Sequence, residues 1–512
     1  MKIILAGYNV DNETIQELGV SSPNPENLTP ETIAAAYARI SRSPKPVDAL
    51  RAASRQEVDK ARRSNRTIVF EMGHSSIAEH AVFNIDILGV SRLLVEEIEH
   101  FRLASYTEKS QRYVLLTDDF VIPEEIRETN LEGSFIEIIR LQNHLYHNLY
   151  EKLLPHVMQA NHELAEIPAN RSMLEGWAKE DARYVLALAT ETQLGMTINA
   201  RNLELMIRRL ASHPLAEARR FSRCLYETIK EAAPSLIRYT EATEYDQLTP
   251  NELQTEAQAL IARYPKIMDM DVDTESQFLP SGWCIRRSST KDMDSDADSC
   301  VKLISATPRA DEFVVACLIH TSSSLPIHRC HTMAAHMNDS EKASLIRTAL
   351  GHMKSHDTAP REFEHVELCF EIMLSASAFA QMKRHRMATL SGQGYDPSLG
   401  FTIPPSVTAV GMDKTFRDLV TKTEETSEQI RKAIPIAAPY ILINAHRRRV
   451  LMKVNARELY HIARLRCDRR AQWDIRKIAD EMLGLGRRIM PLTLMLATGK
   501  DGFADLQARI MK

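Results

Sequence analysis

The sequence lacks the features that mark several common classes of protein. Its seven cysteines are scattered and form no CxxC pair, a pattern typical of reduced thiols in a cytoplasmic protein. No hydrophobic run is long enough to cross a membrane, and the N-terminal run MKIILAG turns polar at Asn9 and Asp11, too early for a secretory signal. The formal net charge of −4 gives no general attraction to nucleic acid or to anionic membranes. We therefore expect a cytoplasmic protein with neither kind of partner.

The chain does have length and a balanced composition. With 512 residues it exceeds the size of one ordinary hydrophobic core, so two or more domains are expected. A hydrophobic share of 44% beside 26% charged residues is typical of globular proteins. Because the net charge is small, any phosphate binding must depend on local clusters of arginine.

The first half contains a strand signature followed by a helix signature. Phe83, Ile85 and Ile87 alternate with polar residues, which predicts a strand with one buried face. Ser91 is a suitable N-cap for a following helix, whose apolar residues recur at helical spacing up to Phe101.

The second half repeats these signatures in the same order. Residues 366–372 alternate again, Ser375 or Ser377 is a suitable cap, and a helical stretch runs on to Met387. A Glu-His pair precedes each strand, and the tripeptide Asn-Ala-Arg occurs once further along each half. The Glu-His pairs are residues 79–80 and 364–365, and the tripeptides are residues 199–201 and 455–457. Four shared landmarks in one order indicate an internal duplication.

This repeat predicts two domains joined by a connector. We place the first copy at 1–245, the connector at 246–300 and the second copy at 301–512. The connector matches neither copy and carries Pro265, Pro280 and an acidic run from Asp292 to Asp298. We expect a short sheet in each copy with long helices dominating, especially over 179–212 and 445–491.

Several segments resemble flavin-dependent thymidylate synthases. The segment FRLASYTEKSQRY at 101–113 resembles the family signature, which reads Arg-His-Arg, two variable residues, Ser, a variable residue, Asn-Glu, variable, Ser, variable, Arg-Tyr. The second copy opens the same signature with Arg-His-Arg at 384–386 and then diverges. Residues 73–80 resemble the family's flavin-side segment, and residues 181–186 and 455–476 resemble its C-terminal helices. The resemblance covers most of both halves.

The resemblance implies a fold, a reaction and an assembly. The fold would be α+β, with two tandem domains of the thymidylate-synthase-complementing type, each helix-rich with a short antiparallel sheet. The family makes dTMP from dUMP with methylenetetrahydrofolate as carbon donor and NADPH reducing a bound FAD, without a cysteine nucleophile. Family members are homotetramers with sites between subunits. Two of these chains would therefore form a homodimer that resembles such a tetramer, and no metal is implied.

In the first copy, the resemblance implies that the nucleotide side of the site is kept. The nucleotide-binding residues would be Glu108, Ser110, Arg112 and Arg183, with His74, Ser76 and Glu108 reaching the flavin. Arginine suits a phosphate because its guanidinium donates two parallel hydrogen bonds. The other side is lost in this copy. The replaced positions are Glu97 for a Gln, His100 and Phe101 for Arg-His, Thr107 for an Asn, and Leu210 or a neighbour for the pyrimidine-activating Arg, with Arg208 and Arg209 adjacent.

In the second copy the pattern is inverted. Gln381, Arg384 and Arg466 match residues that contact the nucleotide, and Arg466 would stabilise negative charge developing on the uracil ring. The flavin-binding residues implied by the resemblance are Arg384, His385, Arg386, Asn455, Arg457 and His461. The positions of the nucleotide loop and of Arg183 are instead occupied by Gly392, Gly394, Asp396 and Pro439. Aspartate would repel a phosphate.

The two retained sets are complementary. Combining the first copy's nucleotide residues with the second copy's flavin and arginine residues would give one complete site, and the reciprocal combination would have neither half. The prediction is two active and two inactive sites per pair of chains.

Other interpretations of these residues remain open. The enzyme could act on a different pyrimidine nucleotide, since Thr107 alters the signature, or the chain could be an inactive nucleotide-binding scaffold. The segment Ser76–Glu79 also fits a helix capping box. The run Arg447–Arg449 is interpreted as a solvated helix face. The spacing of His328, Cys330 and His331 fits no standard structural zinc site.

Overall fold

The structure is a computed structural model, and it describes residues 1–18, 27–265 and 300–511. Pro280 and the acidic run at 292–298 of the predicted connector lie outside the described residues. Among the described residues, no helix combines the length and the apolar character that crossing a membrane requires.

The first copy contains a four-stranded antiparallel sheet. Its strands are β1 (Lys2–Tyr8), β2 (Val82–Ser91), β3 (Ala104–Glu108) and β4 (Glu191–Asn199), in the order β1-β2-β4-β3. Phe83, Ile85 and Ile87 are all buried, which confirms the predicted face of β2. The strand continues past Gly89, whose φ of 70° and shifted register mark a bulge rather than an end.

The first copy also contains helices, several of which pack against the sheet. They are α1 (Asn12–Leu18), α2 (Glu31–Arg39), α3 (Val47–Gln56), α4 (Val58–Arg66), α5 (Arg92–Glu99), α6 (Glu132–Ala160), α7 (His162–Ala165), α8 (Arg171–Ala182), α9 (Ala200–Ala211), α10 (Ala216–Ile229) and α11 (Glu244–Arg263). Shorter 3₁₀ turns include Ser75–His80 and Arg183–Val185.

The second copy contains a sheet of the same topology. Its strands are β5 (Val301–Ala306), β6 (Glu367–Ser375), β7 (Thr389–Gly392) and β8 (Arg447–Asn455), in the order β5-β6-β8-β7. The helices are α12 (Ala310–Thr321), α13 (Ile327–His336), α14 (Asp339–Leu350), α15 (Ala376–Met382), α16 (Pro405–Ala409), α17 (Asp413–Ala433), α18 (Ala456–Arg466), α19 (Trp473–Ile489) and α20 (Phe503–Ile510). The predicted class, α+β with a short antiparallel sheet in each copy, is confirmed.

The expected long helices at 179–212 and 445–491 are wrong, because each stretch contains a strand. Strand β4 interrupts the first and strand β8 the second. The run Arg447–Arg449 accordingly lies on β8 and not on a helix face. Buried Leu194, Met196 and Ile198 alternate with exposed residues along β4, which is strand periodicity.

The same capping interactions occur within each copy. The Ser91 hydroxyl accepts a hydrogen bond from the Leu94 amide at 3.0 Å and donates to buried Glu217 at 2.6 Å. Ser375, the first of the two candidate caps, accepts from the Ala378 amide at 3.0 Å and donates to Asp474 at 2.6 Å. A capped helix entry tied to a buried carboxylate is therefore part of the repeated fold.

The Asn-Ala-Arg tripeptides also have matching roles. Asn199 and Asn455 cap α9 and α18 through their side-chain oxygens. Arg201 pairs with Glu79 at 2.5 Å and Arg457 pairs with Glu364 at 2.7 Å, so each tripeptide is tied to the Glu-His pair before its strand. Glu79 thus forms an ion pair, and no side chain caps the turn at Ser75–His80.

The chain forms two compact units that do not coincide with the two halves of the sequence. The first unit comprises 1–263 and 403–443, and the second comprises 264–402 and 444–512. Within the first unit, the buried Gln142 amide of α6 donates to the Thr423 hydroxyl at 3.1 Å and to the Ile441 carbonyl at 2.9 Å. The segment 403–443 therefore completes the first unit. The boundaries placed at 245 and 300 remain a prediction about the two copies.

Candidate active site

Glu108, at the end of β3, is held by a buried arginine. Arg92, the first residue of α5, is 7% exposed and pairs with the Glu108 carboxylate, to which the Thr192 hydroxyl also donates at 3.3 Å. Burial acts to lower the pKa of Arg92, but the carboxylates of Glu108 and Glu99 outweigh it, and the pKa is raised. The guanidinium is therefore charged and fixes the position of Glu108.

The other predicted nucleotide residues adjoin a second buried carboxylate. The Ser110 hydroxyl accepts from the Arg112 amide at 3.1 Å, and the Arg112 guanidinium lies 3.1 Å from the Glu180 carboxylate. Arg183 follows α8 and is 4% exposed, and burial lowers its pKa although Glu180 opposes this. Its charge also interacts with those of Arg112 and Arg92. The structure thus brings the predicted nucleotide residues into one arginine-rich cluster.

His74 and Ser76 line a separate cavity of about 420 Å³ in the first unit. Arg42 lies on the same cavity, with its guanidinium 3.3 Å from the His74 ring, and Tyr37 and Ile77 contribute apolar walls. No residue of the nucleotide cluster lines this cavity.

In the second copy, the predicted residues Gln381 and Arg466 meet at a buried histidine, His385, which was also predicted. His385 follows α15 and is 2% exposed. The Arg466 guanidinium, at the end of α18, donates from Nε to His385 Nε2 at 3.1 Å and from Nη2 to the Gln381 carbonyl at 3.0 Å. The other ring nitrogen of His385 lies 3.3 Å from the Glu458 carboxylate.

Gln381 has a polar atom that the described structure does not satisfy. Its side chain is 5% exposed, and its amide nitrogen approaches the Gln472 oxygen at 3.5 Å. Its own Oε1 is buried and has no hydrogen-bond partner among the described residues. A buried acceptor without a donor is costly, which favours a ligand donor at this position.

The remaining predicted residues of the second copy are placed differently from one another. Arg384, Arg386 and His461 are exposed, and the His461 ring lies 5.6 Å from that of His385. Asn455 caps α18, and Arg457 is held by Glu364 and by the Ala359 carbonyl. The structure thus gives Asn455 and Arg457 a structural role.

His385, Glu458 and His461 present ligand atoms within 4.8 Å of one another, a spacing that a metal ion requires. Both ring nitrogens of His385 already face hydrogen-bond partners, and one of these is a guanidinium. A metal would have to displace one partner and lie beside a positive charge. The geometry therefore favours a hydrogen-bonded cluster.

The second copy's loop is filled by its own arginine. The Arg448 guanidinium lies 4.5 Å from the Phe379 ring and 4.7 Å from the Tyr395 ring, and it donates to the Gln393 carbonyl at 2.7 Å. A Cβ at Gly392 would lie 2.9 Å from it. Arg448 therefore takes up the space beside Gly392, the position that Glu108 occupies in the first copy.

Comparison with known proteins finds the same family in both halves of the chain. The sequence profile of the thymidylate synthase complementing protein family matches residues 26–235 and again 302–492. The chain belongs to this family. A flavin-dependent thymidylate synthase of Clostridium tetani is 31% identical over 215 residues, covering 41% of this chain and 82% of that protein.

Two further similar proteins cover different shares of the chain. A UPF0159 protein of Thermoplasma acidophilum is 22% identical over 484 residues, covering 87% of this chain and 91% of that protein. Alignment over nearly the whole length is consistent with two copies in both chains. A solved structure of flavin-dependent thymidylate synthase from Helicobacter pylori with FAD and dUMP covers 46% of this chain, at 20% identity and a TM-score of 0.28.

Three residues that the structure places in these clusters were not singled out from the sequence. Arg92 directly follows the Ser91 cap, and Glu180 lies on α8 beside the predicted Arg183. Glu458 stands three residues after Asn455, a spacing that also fits a capping box. Only the folded contacts distinguish these residues from ordinary helix-end residues.

Proposed function

We propose that this chain is a cytoplasmic flavin-dependent thymidylate synthase that methylates dUMP reductively to dTMP, with methylenetetrahydrofolate and NADPH as co-substrates and FAD as cofactor. The name of the Clostridium tetani relative supports the flavin and the product. Membership of the family supports the class of enzyme.

The observation that carries the proposal is the complementarity of the two clusters. The first copy groups Arg112 and Arg183 around its loop but has Leu210 where the second copy has Arg466. The second copy holds Arg466 against His385 but fills its own loop with Arg448. Decay without selection has no reason to spare opposite halves in the two copies. A working site is therefore proposed to need the nucleotide residues of the first copy and the flavin and arginine residues of the second.

The residues present fit a flavin nucleotide and a pyrimidine nucleotide. A cavity with aromatic and apolar walls, Arg42 and the Ser76 hydroxyl suits part of a dinucleotide, and the exposed guanidiniums of Arg384 and Arg386 suit its phosphates. The unsatisfied Gln381 Oε1 suits an N–H of a bound ring. When bound, FAD would supply the hydride chemistry that amino-acid side chains do not provide.

The chain's own residues would bind and polarise the substrate. Arg112 and Arg183 would hold the dUMP phosphate, since charge-assisted and bidentate hydrogen bonds are the strongest available. Ser110 would contribute a hydroxyl, and Glu108, fixed by Arg92, would lie between the nucleotide and the cofactor. Arg466 would stabilise negative charge on the uracil ring, a preorganised electrostatic contribution to catalysis.

The proposed assembly is a homodimer that resembles the family's tetramer. With complementary copies, two chains would supply two complete sets of residues and two sets that lack both halves. Sedimentation of the purified protein would measure the number of chains, and titration with dUMP would count the sites. Two nucleotides bound per two chains are expected, and four would contradict the proposed inactivity of half the sites.

The purified protein's absorption spectrum and a tritium-release assay test the function. Absorbance at about 450 nm is expected from oxidised flavin. Tritium should be released from 5-labelled dUMP only when NADPH and methylenetetrahydrofolate are both present. A flavoprotein that does not release tritium from dUMP but does turn over another pyrimidine nucleotide would overturn the substrate assignment. A protein that binds dUMP without flavin would instead be a nucleotide-binding scaffold.

A further inference from the structure

The hydrogen bonds around His385 fix which ring nitrogen carries the proton. Arginine can only donate, so Nε2, which lies 3.1 Å from Arg466 Nε, must be the accepting nitrogen. A neutral ring with an unprotonated Nε2 carries its hydrogen on Nδ1. That hydrogen points to the Glu458 carboxylate at 3.3 Å. Burial lowers the pKa of His385, and the charge of Arg466 acts in the same direction, which agrees with a neutral ring although Glu458 opposes the shift.

This arrangement orders the Arg466 guanidinium from two sides. Its Nε–H is directed by the His385 ring, and its Nη2 donates to the Gln381 carbonyl at 3.0 Å. Glu458 is 8% exposed, and its backbone amide donates to the Asn455 cap at 2.8 Å. A buried glutamate whose backbone is fixed by a helix cap is a rigid support for the histidine in front of it.

The first copy shows that the three side chains are lost together. Counting from the equivalent caps Asn199 and Asn455, Glu458 corresponds to Asn202 and Arg466 corresponds to Leu210. Counting from the caps Ser91 and Ser375, His385 corresponds to Phe101. The copy without the arginine has therefore kept neither the imidazole nor the carboxylate, although the equivalent capped helices occur in both copies.

We infer that Glu458 is a positioning residue for Arg466: it holds His385 as the Nδ1–H tautomer, and the Nε2 lone pair then aims the guanidinium. The inference rests on the catalytic role proposed for Arg466. No contact between Glu458 and the substrate is required. A group that works in this way affects the transition state more than the binding of the ground state.

The direct test is the replacement Glu458→Gln, which keeps the length of the side chain and removes its charge. We expect kcat for tritium release from dUMP to fall about ten- to a hundredfold, with little change in KM. Independently of activity, ¹⁵N spectra of histidine-labelled protein should show His385 with protonated Nδ1 in the native protein and a mixture of tautomers in the variant. The His385→Gln spectrum identifies the resonance.

A second variant separates positioning from simple loss of structure. His385→Gln offers Arg466 an amide oxygen as acceptor. Unlike the imidazole, this acceptor does not depend on Glu458 to set a tautomer. In the His385→Gln background, the additional replacement Glu458→Gln should lower kcat by less than threefold. The imidazole through which Glu458 is inferred to act is already absent there. Equal losses in both backgrounds would show that Glu458 does not act through His385. Unfolding temperature and flavin content, measured on every variant, verify that the protein is folded and loaded.

The outcomes distinguish this inference from the proposed function. If Arg466→Ala retains full activity, the catalytic role of Arg466 is wrong. If Arg466→Ala is inactive while Glu458→Gln keeps the native kcat and the native tautomer, only the positioning role of Glu458 is wrong.

Discussion

The two copies agree where the fold needs them to agree and differ where a ligand would be bound. Both have the same strand order, a serine cap tied to a buried carboxylate, and an arginine of the Asn-Ala-Arg tripeptide paired with a glutamate. They differ at the loop after the third strand and at the end of the helix that follows the fourth. The comparison teaches that capping and ion-pair interactions maintain a duplicated fold independently of the residues that do its chemistry.

The largest expected effect on catalysis comes from replacing Arg466, at the end of α18, by leucine, the residue that the first copy has at Leu210. Arg466→Leu should lower kcat by about a hundredfold or more, because a preorganised charge is removed from the reacting ring. Tritium release from 5-labelled dUMP measures the loss. Arg209→Leu, an exposed arginine beside Leu210 in the matching turn, is the control and should stay within about twofold of the native rate, since isolated surface changes have small effects. Similar losses in both variants would refute the functional difference between the two helices.

The next effect concerns the two loops. Arg112→Ala should weaken dUMP binding by about ten- to a hundredfold, since hydrogen bonds to charged groups contribute about 1.5–3 kcal/mol each. Calorimetric titration measures the affinity. The matched change Asp396→Ala removes an exposed side chain whose carboxylate accepts a hydrogen bond from the Ser398 amide at 2.9 Å, and affinity should not change. Loss of affinity in Asp396→Ala would mean that the second loop also binds nucleotide.

Removing the serine cap should destabilise the two copies by a similar, smaller amount. Ser91→Ala and Ser375→Ala should each lower the free energy of unfolding by about 2–3 kcal/mol, because each removes a helix cap and a donor to a buried carboxylate. Urea denaturation measures both. Ser377→Ala is the control: its hydroxyl is buried without a partner among the described residues, so its removal should cost less than about 1 kcal/mol. Unequal costs for the two caps would contradict the equivalence of the two folds.

The smallest effect is a pH dependence specific to the second copy. The pKa of buried His385 lies below 6.5, so the unfolded chain takes up this proton before the folded one does. The stability from the neutral ring is complete above about pH 6.5 and decreases as the pH falls below it, by at most about 1.4 kcal/mol per pH unit. His385→Phe, which copies Phe101, should reduce this slope. Unfolding midpoints between pH 7.5 and 5 would measure the slopes, and an unchanged slope in His385→Phe would refute the assignment.

The parts of the fold that depend on local sequence patterns could be predicted from the sequence. The alternation from Phe83 to Ile87 and the capping serines depend on neighbouring residues alone, so they were found. Strand β8 was missed because exposed Leu451 joins Val450 and Met452 into a continuous apolar run after three arginines, which hides the alternation. Residues 403–443 belong to the first unit because of contacts such as that of Gln142 with Thr423. No local sequence pattern encodes a contact between residues so far apart in the chain.

The candidate site was predicted to a similar extent. The signature at 101–113 and its partial repeat at 384–386 located both clusters. Their supporting residues were missed because Arg92 and Glu458 stand at helix starts, where charged side chains are common for reasons of capping and dipole alone. Burial is what distinguishes them, and burial is a property of the folded chain.

The membership of residues 403–443 in the first compact unit has a consequence for synthesis of the protein. A ribosome that has completed the first unit's opening segment at residue 263 must add a further 180 residues before residue 443, the last of that unit, is made. At about 5–20 residues per second this takes roughly ten to forty seconds. Throughout that interval the nascent first unit lacks the segment that satisfies the Gln142 amide, so its folding is completed only when most of the second copy has been translated.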